Sequence, residues 1–175
     1  MEKMIQILKN KKGFTLIELV TIIGIISILA IIAIPIMSKT IPNYQLKGAA
    51  REIYSNLQKA KLEAVRQNSD VIMAFTTGTY TADGGVGSYE VSFVDNNGTK
   101  VIISSGSMPK TVSLFDDSNE CTFTGNTAKF NGQGLPIGFG GSVQVRNSTR
   151  WYKITVSSAG NIKLEISSDG TNFSL

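Results

Sequence analysis

Residues 14–37 read FTLIELVTIIGIISILAIIAIPIM, a run in which Glu18 is the only charge. At about 1.5 Å of rise per residue this run reaches about 36 Å as a helix, enough to cross a hydrocarbon core about 30 Å thick. Ahead of it stand Lys3, Lys9, Lys11 and Lys12 against the single acid Glu2. Positive charge is retained on the cytoplasmic side and the first helix usually sets topology, so the bulk of the chain is predicted to lie outside. A secretory signal would have an apolar core of only about 7 to 15 residues and a small-residue cleavage site after it. This run is longer and has no A-x-A pattern behind it.

A plain signal anchor accounts for the lysines and the apolar run but not for Glu18. A carboxylate in a spanning helix costs about 2.5 to 3.5 kcal/mol at the centre and less near an end, so it asks for a partner. Cleavage between Gly13 and Phe14 would supply one. The new amine of Phe14 on one helix would meet the Glu18 carboxylate of a staggered neighbour, and the pair would set an axial register.

The string Gly13-Phe14-Thr15-Leu16-Ile17-Glu18, with a basic leader before it and the apolar run after it, resembles the class III signal of type IV prepilins and pseudopilins. The resemblance implies cleavage after Gly13 by a prepilin peptidase, N-methylation of Phe14, and a filament-assembly role for Glu18. It also implies a kink or melted turn at Pro35 in the filament, although a proline is tolerated in membrane helices for other reasons.

The leader carries most of the net charge. The whole chain has 17 Lys+Arg and 13 Asp+Glu, whereas residues 14–175 keep 13 bases and 12 acids, so the exported part has no general nucleic-acid footprint. One cysteine, Cys121, rules out an intramolecular disulfide and reads as a buried apolar residue. Many major pilins resemble one another in a C-terminal disulfide loop, and this chain departs from that pattern. With no histidine, Ser-His-Asp or Cys-His nucleophiles and histidine metal sites are excluded. The chain is read as a non-enzyme without a cofactor.

Residues 38–44, with Pro42 and Asn43, are predicted to be a looser stretch. Beyond them Leu46, Ala50, Ile53, Leu57, Ala60 and Ala64 recur at helical spacing as a buried stripe, opposite Lys47, Arg51, Gln58, Lys61 and Glu63, and the helix is expected to end near Asn68. From residue 71 the pattern turns to short strands: 71–76, 88–94, 99–104, 120–124, 127–131, 141–146, 151–158 and 161–167. Asp95-Asn96-Asn97-Gly98 and Ala159-Gly160-Asn161 are the tight turns between neighbouring runs. The fold class is therefore α+β: a long N-terminal helix, membrane-spanning in its first half, packed on an antiparallel β head, as the pilin resemblance also implies. The organisation is a cleaved leader 1–13, a transmembrane and filament-core helix 14–37, an amphipathic continuation 38–70 and a globular β head 71–175.

The helix sequence from Ala50 to Asn68 is similar to that of the GspH/FimT group of minor pilins and pseudopilins, in which an Ala-Arg or Ala-Lys pair and a later Glu-Ala-Val-Arg run recur. Residues 130–134, Phe-Asn-Gly-Gln-Gly, and 156–163, Val-Ser-Ser-Ala-Gly-Asn-Ile-Lys, resemble that group's closing strands. The implied partners are the prepilin peptidase, other pilins or pseudopilins, an inner-membrane assembly platform, and the membrane before assembly. The implied location is the cytoplasmic membrane, single-pass with the head outside, then a surface pilus or an envelope pseudopilus.

Within that group the implied function is a structural minor pilin or pseudopilin. The alternatives are a major pilin, the H pseudopilin of type II secretion, and a FimT-like DNA receptor. The DNA-binding members carry Gly-Arg-x-Arg where this chain has Gly160-Asn161-Ile162-Lys163, which weakens that alternative. A basic set remains, Arg146, Arg150, Lys153 and Lys163 beside Trp151, able in principle to hold phosphates and stack a base. Its simpler reading is ordinary surface charge over a buried aromatic.

Overall fold

The computed structural model describes residues 13–78, 85–95, 97–114 and 121–175, and the backbone alone at residue 39. Residues 1–12 of the expected leader, Asn96 of the first tight turn and Glu120 of the 120–124 run lie outside the described residues. The chain divides into two units, Met1–Thr40 and Ile41–Leu175, and one helix, α1 (Leu16–Gln67), contributes to both.

In the first unit the apolar side chains of α1 are exposed, Ile17 at 70% and Ile31 at 73%. The helix is long and apolar enough to cross a membrane. Its hydroxyls are satisfied within the helix: Thr21 Oγ1 donates to the Ile17 carbonyl and Ser27 Oγ to that of Ile23, both at 2.8 Å. Internal bonding of this kind suits a segment that has no water to turn to. α1 runs unbroken through Pro35 and through residues 38–44, where the sequence predicts a looser stretch. Each proline lacks an N–H and so removes one backbone bond. Ser38 Oγ donating to Pro35 O at 3.0 Å and Thr40 Oγ1 donating to Ile36 O at 2.8 Å add local bonds there.

The second unit is built on the stripe that the helical spacing predicts. Leu46, Ala50, Ile53, Leu57, Ala60 and Ala64 are all fully buried. The opposite face is less uniformly solvated than expected, because Gln58, Lys61 and Glu63 are half-buried. Against the stripe lie two antiparallel four-stranded sheets. The first has the order β3-β2-β1-β5, from β1 (Val71–Thr76), β2 (Ser88–Val94), β3 (Lys100–Ser107) and β5 (Thr127–Phe130). The second has the order β4-β6-β7-β8, from β4 (Ser113–Leu114), β6 (Gly141–Arg146), β7 (Trp151–Val156) and β8 (Ile162–Ser167).

Strand alternation places Val71, Met73 and Phe75 of β1 and Tyr152, Ile154 and Val156 of β7 in one core with the helix stripe. The turn at 95–98 closes as its Asn-Gly step predicts, with Gly98 at φ +79° and Asp95 Oδ1 accepting from the N–H groups of Asn97 and Thr99. The run 120–124 is not a strand: Cys121 makes one bridge to Val143, and Thr124–Asn126 is a 3-10 turn with Gly125 at φ +62°. Cys121 is half-exposed rather than buried, since it sits on this irregular edge. Polar side chains fasten the head to its helix. Asn43 Oδ1 accepts from Asn147 Nδ2 at 3.0 Å and Thr149 Oγ1 at 3.1 Å, and Tyr89 donates to Glu52.

Candidate processing and assembly site

Gly13, Phe14 and Thr15 precede α1 in non-helical backbone, with Phe14 79% exposed. Thr15 explains why the helix starts at the next residue. Its Oγ1 accepts from the backbone N–H of Glu18 at 3.3 Å, and the Glu18 carboxylate accepts from the Thr15 N–H at 3.4 Å. This reciprocal pair is a capping box, which satisfies two N–H groups that helix geometry leaves without intrahelical partners. Leu19 N then bonds Thr15 O at 3.2 Å as the first helical rung. The box also holds the Glu18 carboxylate in the first turn, where the partial positive charge of the helix end favours it. Thr15 carried a sequence signal that went unused, since Thr-x-x-Glu before an apolar run is the pattern of a capping box.

Among the described residues none packs on Gly13, since a Cβ there would meet nothing within 4 Å. The same holds for Gly24 and Gly48 within α1. Gly98, Gly125 and Gly138 also meet nothing within 4 Å but have left-handed φ, whereas others in the head answer to close approach. Those at the closing strands converge on the helix: Lys61 Nζ donates to the Gly160 carbonyl at 2.9 Å, and a Cβ on Gly160 would lie 3.2 Å from the Gly134 carbonyl oxygen. Gly160 and Gly134 both have left-handed φ, +76° and +75°. The residues that carried the group resemblance thus meet at one place, helix, first closing turn and second closing turn together.

The basic set is only partly assembled. Arg146 and Trp151 are direct partners on β6 and β7, and the Arg146 guanidinium lies over the Trp151 ring at 4.9 Å. Lys153 Nζ lies over the Phe173 ring at 5.3 Å. Lys163 is two rows along the sheet, opposite Thr155, and Arg150 sits in the turn before β7, where its N–H donates to Asn147 Oδ1. Gly170 also approaches the indole, so a Cβ there would be 3.1 Å from Trp151 Cε2. The ring therefore packs against its own chain instead of presenting an open stacking face. The turn that carries Gly170 is held by Asp169, whose carboxyl stays well below the usual range because it accepts from the Ser167 hydroxyl and the N–H groups of Asn172 and Thr171.

The family model described as type II transport protein GspH matches residues 49–160, and the prokaryotic N-terminal methylation motif matches residues 8–34. The chain belongs to the GspH family. This GspH-family subunit shares its fold with the type IV minor pilin FimU of Pseudomonas aeruginosa. The likeness covers 75% of this chain and 94% of that one at 16% identity, with a TM-score of 0.53. A second crystal form of FimU gives 74% and 97% coverage at 16% identity, with a TM-score of 0.51. The minor pseudopilin EpsH of the Vibrio cholerae type 2 secretion system aligns over 69% of this chain and 95% of its own at 10% identity, with a TM-score of 0.48. No curated protein matches the sequence. The GspH-family subunit is a structural protein of the minor pilin and pseudopilin class, with a membrane-anchoring type of N-terminal helix and the methylation motif at its start.

Proposed function

We propose that this subunit is made as a precursor, cut by a prepilin peptidase after Gly13, methylated on the new Phe14 amine, and moved from the cytoplasmic membrane into a filament with its head outside. The observation that carries the reading is the junction itself. Gly13 stands in non-helical backbone directly before a capped apolar helix, and no described residue packs on it. A glycine on which no described residue packs, inside a matched methylation motif, fits a steric demand made by a processing enzyme.

Glu18 then has two successive partners. In the single subunit the Thr15 cap satisfies its carboxylate. In the filament the Phe14 amine of a neighbour takes over, which sets the register, while Pro35 allows the helix to bend. Buried among other subunits, residues 14–37 exchange lipid contacts for protein contacts. The assembly is a type IV pilus or a type II secretion pseudopilus. The packed state of Trp151 supports a structural role over a DNA-binding one.

The test is mass spectrometry of sheared surface filaments and of the envelope fraction, quantifying this chain against every other pilin-like chain and reading its first peptide. The expected result is a minor chain beginning with methylated Phe14. A dominant chain in sheared filaments makes it the major subunit, and a processed chain confined to the envelope makes it a pseudopilin. Gly13→Val is expected to leave the precursor uncut; a shortened chain in that variant refutes the processing site.

A further inference from the structure

The two sheets of the head have four edges, and the chain closes three of them itself. On β5 the segment 135–137 lies alongside: Ile137 N donates to Lys129 O at 2.9 Å, and Phe130 pairs with Pro136. Proline has no N–H to offer a further strand. β8 receives Ser174, which exchanges two backbone bonds with Ile166 at 2.8 and 3.0 Å. β4 is two residues long, and Val86 and Gly78 bond along it. Such covering and shortening is how native folds keep sheet edges from recruiting other chains.

β3 is treated differently. It spans eight residues, KVIISSGS, contains no proline, and bonds only to β2; among the described residues no backbone bond reaches its other side. A bulge opposite Val91/Ser92 and Lys100 at its start are its only restraints. The strand also presents apolar side chains, with Ile102 56% exposed and Val101 37%. Beneath it runs a cleft of about 520 Å³ lined by Phe93, Val101, Ile102 and Ile103 from the sheet and by Lys59, Glu63 and Arg66 from α1.

The charges in that cleft are unequally available. Glu63 accepts from Arg66 and from Gln67 Nε2 at 2.8 Å, which together lower its carboxyl pKa, and its side chain is only 13% exposed. Arg66 is 71% exposed and Lys59 is exposed on the same rim. The face offered to a partner is therefore apolar at its floor and positive at its rim.

We propose that β3 is a docking edge for an extended segment of another subunit of the same assembly, with apolar side chains over Phe93, Val101 and Ile102 and an acidic side chain against Lys59 and Arg66. The claim rests on the reading of this chain as an assembled subunit. Main-chain bonds to the free edge supply the attachment and the cleft supplies the selectivity, as in strand addition generally.

The test uses the full-length chain in cells, with Cys121→Ser removing the native thiol. Ile102→Cys places a thiol on the edge, and Ser148→Cys places one on the exposed turn of the other sheet. A membrane-impermeant maleimide is applied to the membrane pool and to the assembled fraction. The expected result is labelling at position 102 in the membrane pool that is lost on assembly, with labelling at 148 in both. Equal labelling at 102 in both pools overturns the proposal, and so does loss of labelling at both positions alike, which would be general burial. As a second measurement, the exposed Lys59→Glu reverses the rim charge and is expected to lower incorporation while leaving the membrane pool unchanged; full incorporation counts against the acidic partner. Absence of the unsubstituted chain from every assembled fraction refutes instead the reading on which the proposal rests, and it is seen before any label is added.

Discussion

Tyr89 provides a measure of how tightly the head grips its helix. The side chain is 3% exposed, its hydroxyl donates to Glu52 Oε1 at 2.5 Å, and it accepts from Asn56 Nδ2 at 3.1 Å. Burial, then the hydrogen bond and the charge of Glu52, push its pKa up to about 12 from 10.0. A raised folded-state pKa means that the neutral phenol is stabilised by folding. That contribution is fully present below pH about 10 and is lost as the pH climbs through about 12. A rise of that size corresponds to about 2.7 kcal/mol, and because Glu52 is itself solvated the expected loss is smaller, about 1 to 2 kcal/mol. Denaturant unfolding of the full chain in detergent, repeated from pH 9 to 12, should show this loss for the natural chain and not for Tyr89→Phe. Every other ionisable group is common to the two proteins, so only the difference counts. At pH 7 Tyr89→Phe should cost only about 1 kcal/mol, since Glu52 can turn to water. Parallel decline of the two proteins between pH 10 and 12 would refute the assignment of a buried, Glu52-linked phenol.

Glu18→Ala should be processed normally yet enter filaments poorly, measured as the assembled share of the methylated chain; normal incorporation sinks the register role. Thr15→Val removes the N-cap, a loss of about 1 kcal/mol, and should loosen the first helical turn, read as faster amide exchange at residues 16–19 in micelles. In Gly132→Ala the new Cβ would lie 2.9 Å from the Asn68 carbonyl carbon, so the variant should lose about 1 to 3 kcal/mol in the same unfolding assay. An unchanged midpoint would mean that the helix end and this turn do not press on each other.

Long, strongly periodic or composition-biased segments were legible in the sequence, because their signals are local. The apolar run and its lysines, the helical stripe from Leu46 to Ala64, the alternation in β7 and β8, and the Asn-Gly turn each follow from spacing along the chain. The methylation motif was legible for the same reason, since it lies within one short stretch of chain. β4 was not, for a two-residue strand has no period to read and exists only because β6 and Val86 flank it. The run 120–124 was misread because its β-favouring residues meet a partner at one position only. Residues 38–44 were misread as loose because Pro42 and Asn43 were visible and the distant contacts were not: Asn43 finds its partners 104 and 106 residues away.

The sequence by itself determined the membrane-type helix, the methylation motif, the helix stripe and the α+β class, all of which depend on residues near one another in the chain. Only the tertiary structure decided that the strands divide into two sheets, that Lys61 reaches Gly160 across the head, that Arg146 covers Trp151, and that among the described residues no backbone bond covers the outer edge of β3. Those facts depend on which distant surfaces come to face each other, and hydrogen bonding and close packing settle that only once the chain has closed on itself.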